Sequence, residues 1–571
     1  MAWQDVLQIF LFFFVLIVVS PFVGKYISNI FRTTAGFNNN EESKVSKGIF
    51  SKIENFLYKI AGINPNEDMN WRDYAKSLLL FNTFGFLFLF LLQIFQYYLP
   101  GNPQNLANVG LSLAFNTASS FVTNTNWQSY AGETTLGYLV QMLGLTVQSF
   151  LSAATGIAVI IALIRGIKNR TSKFIGNFWV DMTKGTIYIL IPLSIFIAIL
   201  LLSQGVVQNF GSNHDYTTLE GQKSSIPSGL VASQEAIKMV GTNGGGYFNS
   251  NSSHPFENPT PFSNFVEMFA ILIIPMSLPF AFGKLLSKPK QGRAIFAAMF
   301  IMSIIGLAVM MYSENLYNPV LQTSSMMEGK ETRFGITNSI LFANVTTNVS
   351  CGAVNSMHSS LSPLSGMITL LNMMMGEVIF GGVGAGLYGI LIFVFLAVFI
   401  SGLMVGRTPE FMGKKIESYE VKMAMIAVLA PNFVILVFSA ITLLYPAALA
   451  SVSSSGPHGF TEILYAFTSA AMNNGSAFAG LNANTDFFNI MLGLGMLIGR
   501  FAVIIPVLAI AGSLSAKKII PESNGTLRTD SSIFVGLLIV VIVIIGALTH
   551  FPNIVLGPIS EHFLMIMGKT F

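Results

Sequence analysis

Long apolar stretches alternate with shorter polar ones along the whole chain. Those near 6–24, 78–99, 136–164, 187–203, 265–286, 294–312, 368–404, 423–449, 487–514 and 532–548 predict ten membrane-crossing helices. About 20 residues rising ~1.5 Å each cross ~30 Å of hydrocarbon, so most of these runs are long enough. The polar connections are of two kinds. One kind is basic: 25–76, 165–184, 284–293, 407–422 and 517–528 hold 24 of the 30 Lys and Arg residues. Positive loops stay in the cytoplasm, which puts both termini outside. The other kind, roughly 100–135, 204–264, 313–367 and 450–486, carries little positive charge and is far longer than a helix hairpin requires.

Each long connection contains the same pattern, a short amphipathic helix that stops at small, amide or hydroxyl residues. The stretches are NVGLSLAFNTASSFVTNTNWQ (108–128), GLVASQEAIKMVGTNGGGYF (229–248), TNSILFANVTTNVSCGAVNS (337–356) and TEILYAFTSAAMNNGSAF (461–478). Their polar ends are Thr123-Asn124-Thr125-Asn126, Gly241-Thr242-Asn243-Gly244, Ser350-Cys351-Gly352 and Asn473-Asn474-Gly475. Such helices are too short to cross, so they are expected to dip in from outside and return as extended backbone. Irregular backbone at that depth is tolerated only when buried in protein or lining a watery cavity. Four such loops around one axis satisfy both conditions, and their carbonyls can replace the hydration shell of a cation. Gly244, Gly245 and Gly246 supply backbone freedom in the second loop. No Asp or Glu occurs in 115–130, 241–256, 346–362 or 468–484. A neutral cage of this kind selects a monovalent ion by fit or field strength rather than by charge.

Composition narrows the class. Hydrophobic residues make up 52% of the 571 and charged residues 10%, as expected of an all-α polytopic membrane protein. A net charge of +4, dispersed, argues against a nucleic-acid surface. Cys351 is the single cysteine, which excludes a disulfide framework. The chain has neither a G-x-x-x-x-G-K-[ST] loop nor a DKTGT-like sequence, and no catalytic residues are found, so no nucleotide is expected to bind here. The formal GxGxxG at Gly384, Gly386 and Gly389 lies inside an apolar segment with no strand before it, and is rejected as a dinucleotide site.

The residues NTNWQSYAGETTLGY (124–138), GTNGGGYFNSNSSHPFENPTPFSN (241–264), SCGAV (350–354), MGEVIFGGVGAGLYGI (375–390), GRTPEFMGKKIE (406–417) and NNGSAFAG (473–480) closely resemble the potassium-binding subunit of the bacterial Kdp-type potassium-transporting ATPase. The resemblance implies a channel-like member of the superfamily of K+ transporters, located in the bacterial plasma (inner) membrane. It also implies a P-type ATPase catalytic partner and small accessory membrane subunits. Carried over by position, it makes Asn124, Thr242, Cys351 and Asn473 the potassium-binding residues of the selectivity filter. Thr123, Thr125, Asn126, Gln128, Asn243, Gly244, Gly245, Ser350, Gly352, Asn474 and Gly475 are then expected to support them. One departure is Ser359, where members commonly carry an acidic residue. A self-sufficient, gradient-driven potassium channel or symporter of the same superfamily is the alternative.

The expected organisation is a first helix with its basic loop (1–74), four pore repeats (75–184, 185–291, 292–420 and 421–530), and a last helix with an external tail (531–571). Arg500 falls in mid-span, where a charge costs ~2.5 kcal/mol or more unless it faces a partner or water. It is read as a barrier below the filter, with Glu377 as its partner. Arg407 and the glycines of GGVGAGLYG, Gly382 and Gly384 among them, are read as a gate or hinge. His254 and His358 flank the loops and are expected to be hydrogen-bonded loop residues rather than ligands.

Overall fold

The computed structural model describes residues 3–34, 37, 48–211, 213–404, 406, 408–521 and 527–569. Ten helices in this range are long and apolar enough to cross a membrane. They are Trp3–Arg32, Trp71–Ile94, Val140–Lys168, Phe178–Ser203, Pro261–Leu285, Pro289–Glu314, Ala385–Met404, Ser418–Leu443, Asp486–Ala516 and Ser532–Ile566, and each overlaps an expected run. Polar side chains set several starts. Asn70 accepts from the backbone N–H groups of Arg72 and Asp73, Thr260 forms a capping box with Ser263, and Thr485 and Ser531 cap the last two spans.

Between the second and ninth spans, each pair of spans is joined through a pore helix: Leu111–Val122, Val231–Val240, Gly335–Asn348 and Gly456–Ala471. At 10 to 16 residues, ~15–24 Å long, these cannot cross. They are nevertheless largely buried, most completely toward their C-terminal ends. Their polar residues, Asn116, Thr117, Gln234, Asn344 and Thr468 among them, face protein rather than water. The ninth span packs against the first pore helix, the third span and the eighth span, and the first span runs along the fifth. One large core draws residues from all ten spans. Thr337 Oγ1 donates to Asp5 Oδ1 (2.8 Å), so the first span begins on the side from which the pore helices enter.

The run 368–404, read as a broken helix with a hinge in its glycine stretch, is indeed interrupted: Pro363–Met374 ends, and the spanning helix restarts at Ala385. Between them Gly376, Glu377, Phe380, Gly381 and Gly384 all adopt positive φ, which no helix accommodates. The tail beyond 548 is also largely helical, because the last span runs through a π-helical stretch, Val555–Ile559, kinked at Gly557, into Ser560–Ile566. Pro552 and Pro558 remove the donors that would keep it straight.

Sheet is confined, among the described residues, to three two-stranded pieces. Met69–Asn70 pairs with Phe174–Gly176, His214–Thr217 with Lys223–Ile226, and Glu410–Phe411 with Lys414–Lys415.

Candidate functional site

All four pore helices end in the same way. The backbone N–H groups of Thr125, Asn243, Cys351 and Asn474 donate to the carbonyls five residues back, on Ser120, Lys238, Thr346 and Ser469, at 2.8–3.0 Å. This is the 6→1 bond of a Schellman turn, and it requires a left-handed residue just before the donor. That residue is Asn124 (φ +65°), Thr242 (+51°), Ser350 (+55°) and Asn473 (+51°). Two steps later, Asn126 (+54°), Gly244 (+105°) and Gly475 (+99°) are left-handed again. Non-glycine residues seldom adopt this geometry and Thr and Ser are less tolerant of it than Asn, so the surrounding structure must hold it. The backbone therefore puts Ser350, not Cys351, in register with Asn124, Thr242 and Asn473. Cys351 stands one residue further along, level with Thr125, Asn243 and Asn474, and its carbonyl accepts the Thr346 hydroxyl.

The four loops meet in a closed ring. Asn124 Nδ2 donates to the carbonyls of Gly241 and Thr242 (3.2 Å each), and Asn124 Oδ1 accepts from Asn243 Nδ2 (2.6 Å). Gly352 N–H donates to the Asn243 carbonyl at 3.1 Å. Asn474 Nδ2 reaches the Thr346 carbonyl (3.3 Å), and Asn473 Nδ2 reaches Thr125 Oγ1 (2.9 Å), which joins the fourth loop to the first. The approach is too close for side chains at three glycines. A Cβ on Gly244 would lie 2.0 Å from Gly352 N, one on Gly475 1.9 Å from the Thr125 carbonyl, and one on Gly352 2.7 Å from the Gly475 carbonyl carbon. Further out, Gln128 and Gly246 bond reciprocally at 2.8 and 3.2 Å, and Gly245 packs on Asn126. Thr123 Oγ1 bonds Thr125 Oγ1 at 2.7 Å, bracing the first loop from within. No acidic residue belongs to the ring. Among the described residues no group of three or more His, Cys, Asp and Glu is placed to hold a metal ion.

The broken segment 375–384 passes beneath this ring. Val383 N–H donates to Thr242 Oγ1 (3.0 Å) and Gly381 N–H to the Asn348 carbonyl (2.9 Å), which fastens the segment to the ends of the second and third pore helices. Gly382 lies under Thr242 and Val349, while Gly384 (φ +83°) abuts the Gly156 carbonyl so closely that a Cβ would sit 2.0 Å away. Arg500 is 5% exposed and donates through Nη2 to the Ser152 carbonyl at 3.1 Å. Glu377 and Arg500 line one cavity with Asn473, Tyr388 and Asn432. No ion pair joins the two among the described residues, so the expected partnership becomes a shared cavity rather than a salt bridge. Arg407 lies outside the described residues.

The histidines are loop residues, as expected. His254 stacks on Phe248 at 3.9 Å and accepts from Phe256 N–H; burial holds its pKa below the usual imidazole range. His358 shares a hydrogen bond with Tyr465 (2.9 Å).

Sequence reasoning missed the ion cluster behind the second loop. Lys238 Nζ bonds Glu235 and Glu257 and also donates to Asn251 Oδ1 at 2.7 Å. Asn251 Nδ2 donates in turn to the Gly244 carbonyl at 2.8 Å. Glu267 stands nearby, fully buried, with neither carboxyl oxygen hydrogen-bonded. The available signal was the i,i+3 pair Glu235–Lys238 in a helix too buried to leave charges unpaired.

Comparison with known proteins identifies a family. The family model described as Potassium-transporting ATPase A subunit matches residues 10–563. The chain is 54% identical over 569 residues to the potassium-transporting ATPase potassium-binding subunit of Mesorhizobium japonicum, covering 99% of each. It is 50% identical to the protein of the same name from Leptospira interrogans, again over 99% of each. Among solved structures, the potassium transporter TrkH of Vibrio parahaemolyticus is similar at a TM-score of 0.48 and 14% identity, covering 73% of this chain and 83% of that one.

Proposed function

Since the chain belongs to the Potassium-transporting ATPase A subunit family, we propose that it captures extracellular potassium in the ring of four pore loops and delivers it to an ATP-hydrolysing P-type partner for high-affinity uptake. The observation that carries this reading is the closed ring of left-handed loop residues, hydrogen-bonded from each loop to the next and free of carboxylates. Main-chain oxygens from four converging loops replace the water that a potassium ion leaves behind. The left-handed residues Asn124, Thr242, Ser350 and Asn473 turn the backbone where each helix ends. Those helix C-termini add partial negative charge toward the axis. Cys351 contributes from the level one residue further on.

The loops are unlike one another, which suits one tight site better than a column of equivalent ones. Below the site, Arg500 and the segment carrying Gly382 and Gly384 oppose straight passage, so that the ion leaves only by way of the partner. In this reading the basic loops are cytoplasmic, both termini face outward, and the membrane is the bacterial inner membrane. Each pore helix and its flanking spans form one repeat, and small accessory membrane subunits complete the complex.

Potassium and sodium binding to the purified complex, followed by isothermal calorimetry, tests the proposal together with a count of co-purifying chains. Micromolar or tighter potassium binding without sodium competition, with an ATPase present, is expected. Equal affinity for the two ions removes the filter reading, and full uptake by the chain alone removes the partner.

A further inference from the structure

The helix Ile49–Ala61 follows the first span on its basic side, and its faces are unusually segregated. Glu54 and Tyr58 are its buried residues. Ile49 (70% exposed), Phe56 (61%) and Ile60 (69%) form a bare apolar stripe with Ile53 between them, and Phe50 and Leu57 widen it. Lys52 and Lys59, both exposed, border the stripe, with Asn55 and Ser51 beyond them. A stripe of this size does not stay in water.

The anchoring contacts fix the level of the helix relative to the bilayer. Tyr188 Oη donates to Glu54 Oε2 (2.6 Å), Tyr58 Oη donates to Glu54 Oε1 (2.8 Å), Lys184 lies 3.8 Å from Glu54, and the Phe50 and Tyr188 rings are 5.8 Å apart. Tyr26 Oη in turn donates to the Tyr188 carbonyl at 2.9 Å. Tyr188 is one residue into the apolar run of the fourth span, and Tyr26 is two residues past that of the first. The helix is therefore held where hydrocarbon gives way to headgroups. The first span carries its own exposed row, Phe14, Val18, Phe22 and Tyr26, which faces lipid and leads down to this level.

We propose that Ile49–Ala61 is an in-plane lipid-binding helix. Its apolar stripe is sunk into the basic-side leaflet, and Lys52 and Lys59 reach outward to anionic headgroups. Covered in this way, the stripe makes the leaflet the brace that holds Glu54 against the fourth span. The proposal takes from the functional reading only the assignment of the basic side to the anionic cytoplasmic leaflet, and its test does not involve potassium.

The test uses single bimane labels at Phe56→Cys, Ile60→Cys or Asn55→Cys in the full chain and in the assembled complex. Cys351 is left in place because it is buried. The samples are reconstituted in phosphatidylcholine with or without phosphatidylglycerol, and quenched by brominated lipid or aqueous iodide. Positions 56 and 60 should be quenched by brominated lipid from a depth of roughly 5–10 Å and shielded from iodide, with position 55 the reverse. Brominated phosphatidylglycerol should be enriched over brominated phosphatidylcholine at the probe, and Lys52→Gln with Lys59→Gln should lower that enrichment by roughly fivefold per lysine. Iodide quenching at 56 and 60 as strong as at 55 overturns the proposal. So does shielding from both quenchers confined to the complex, which identifies a partner protein as the cover. Enrichment unchanged by the double substitution refutes the anionic-headgroup part.

Discussion

The first and second pore loops reach the same left-handed geometry by different chemistry. In the first, amides and hydroxyls suffice: Asn124 bridges to Ser152, Gly241, Thr242 and Asn243, and Thr123 braces Thr125. Asn tolerates the left-handed region better than most residues, so the loop needs no glycine. The second relies on Gly244 and on a buried cation, Lys238, which steadies Asn251 against the Gly244 carbonyl. A ring built from unlike quadrants thus requires a common backbone and leaves each quadrant free in how it is braced.

This comparison can be broken at its strongest point first. Lys238→Met strands Glu235, Glu257 and Glu267 without a cation, and breaking a buried pair in this way costs about 3–5 kcal/mol. Thermal unfolding in detergent should fall accordingly, whereas Ser152→Ala behind the first loop should cost about 1 kcal/mol. Next is Gly244→Asp, which forces a side chain at φ +105° into the backbone of Gly352. Strain of about 3 kcal/mol lowers potassium affinity on the order of 100-fold and weakens discrimination. Uptake at micromolar potassium reads both, and unchanged affinity would rule out this loop as part of the cage. Asn124→Ala removes the bonds that hold the second loop to the first and should weaken binding about tenfold, with Asn124→Ser intermediate. The smallest effect on binding belongs to Arg500→Ala, below the ring. Affinity should stay within about twofold, while ATP consumed per ion transported rises; an unchanged ratio refutes the barrier role.

The spans and pore loops were legible in the sequence because few structures accommodate both hydrophobic runs of about 20 residues and polar clusters set between them. Polar residues were also enough to mark where each pore helix stops. Register was not legible. Ser350-Cys351-Gly352 offers no glycine or amide at its left-handed position, so only the backbone bonds show that Ser350 matches Asn124. The glycines of GGVGAGLYG marked a break within 368–404, but its extent upstream to 375 was hidden by composition, since Val378, Ile379, Phe380 and Val383 are as apolar as a helix core. Its glycines permit the unwinding, but its bonds to Asn348 and Thr242 require it. The Lys238 cluster went unseen for a third reason. A lysine in a nominally external loop looks solvated until the fold buries it.

The closing turn of the last span rests on the fourth pore helix: Gly557 packs against Thr461 and Phe460, and His458 bonds Glu561 at 2.9 Å. Residues 555–566 follow all four pore helices in the chain and so are synthesised after them. The fourth pore helix therefore gains this clamp only when the end of the last span has been made.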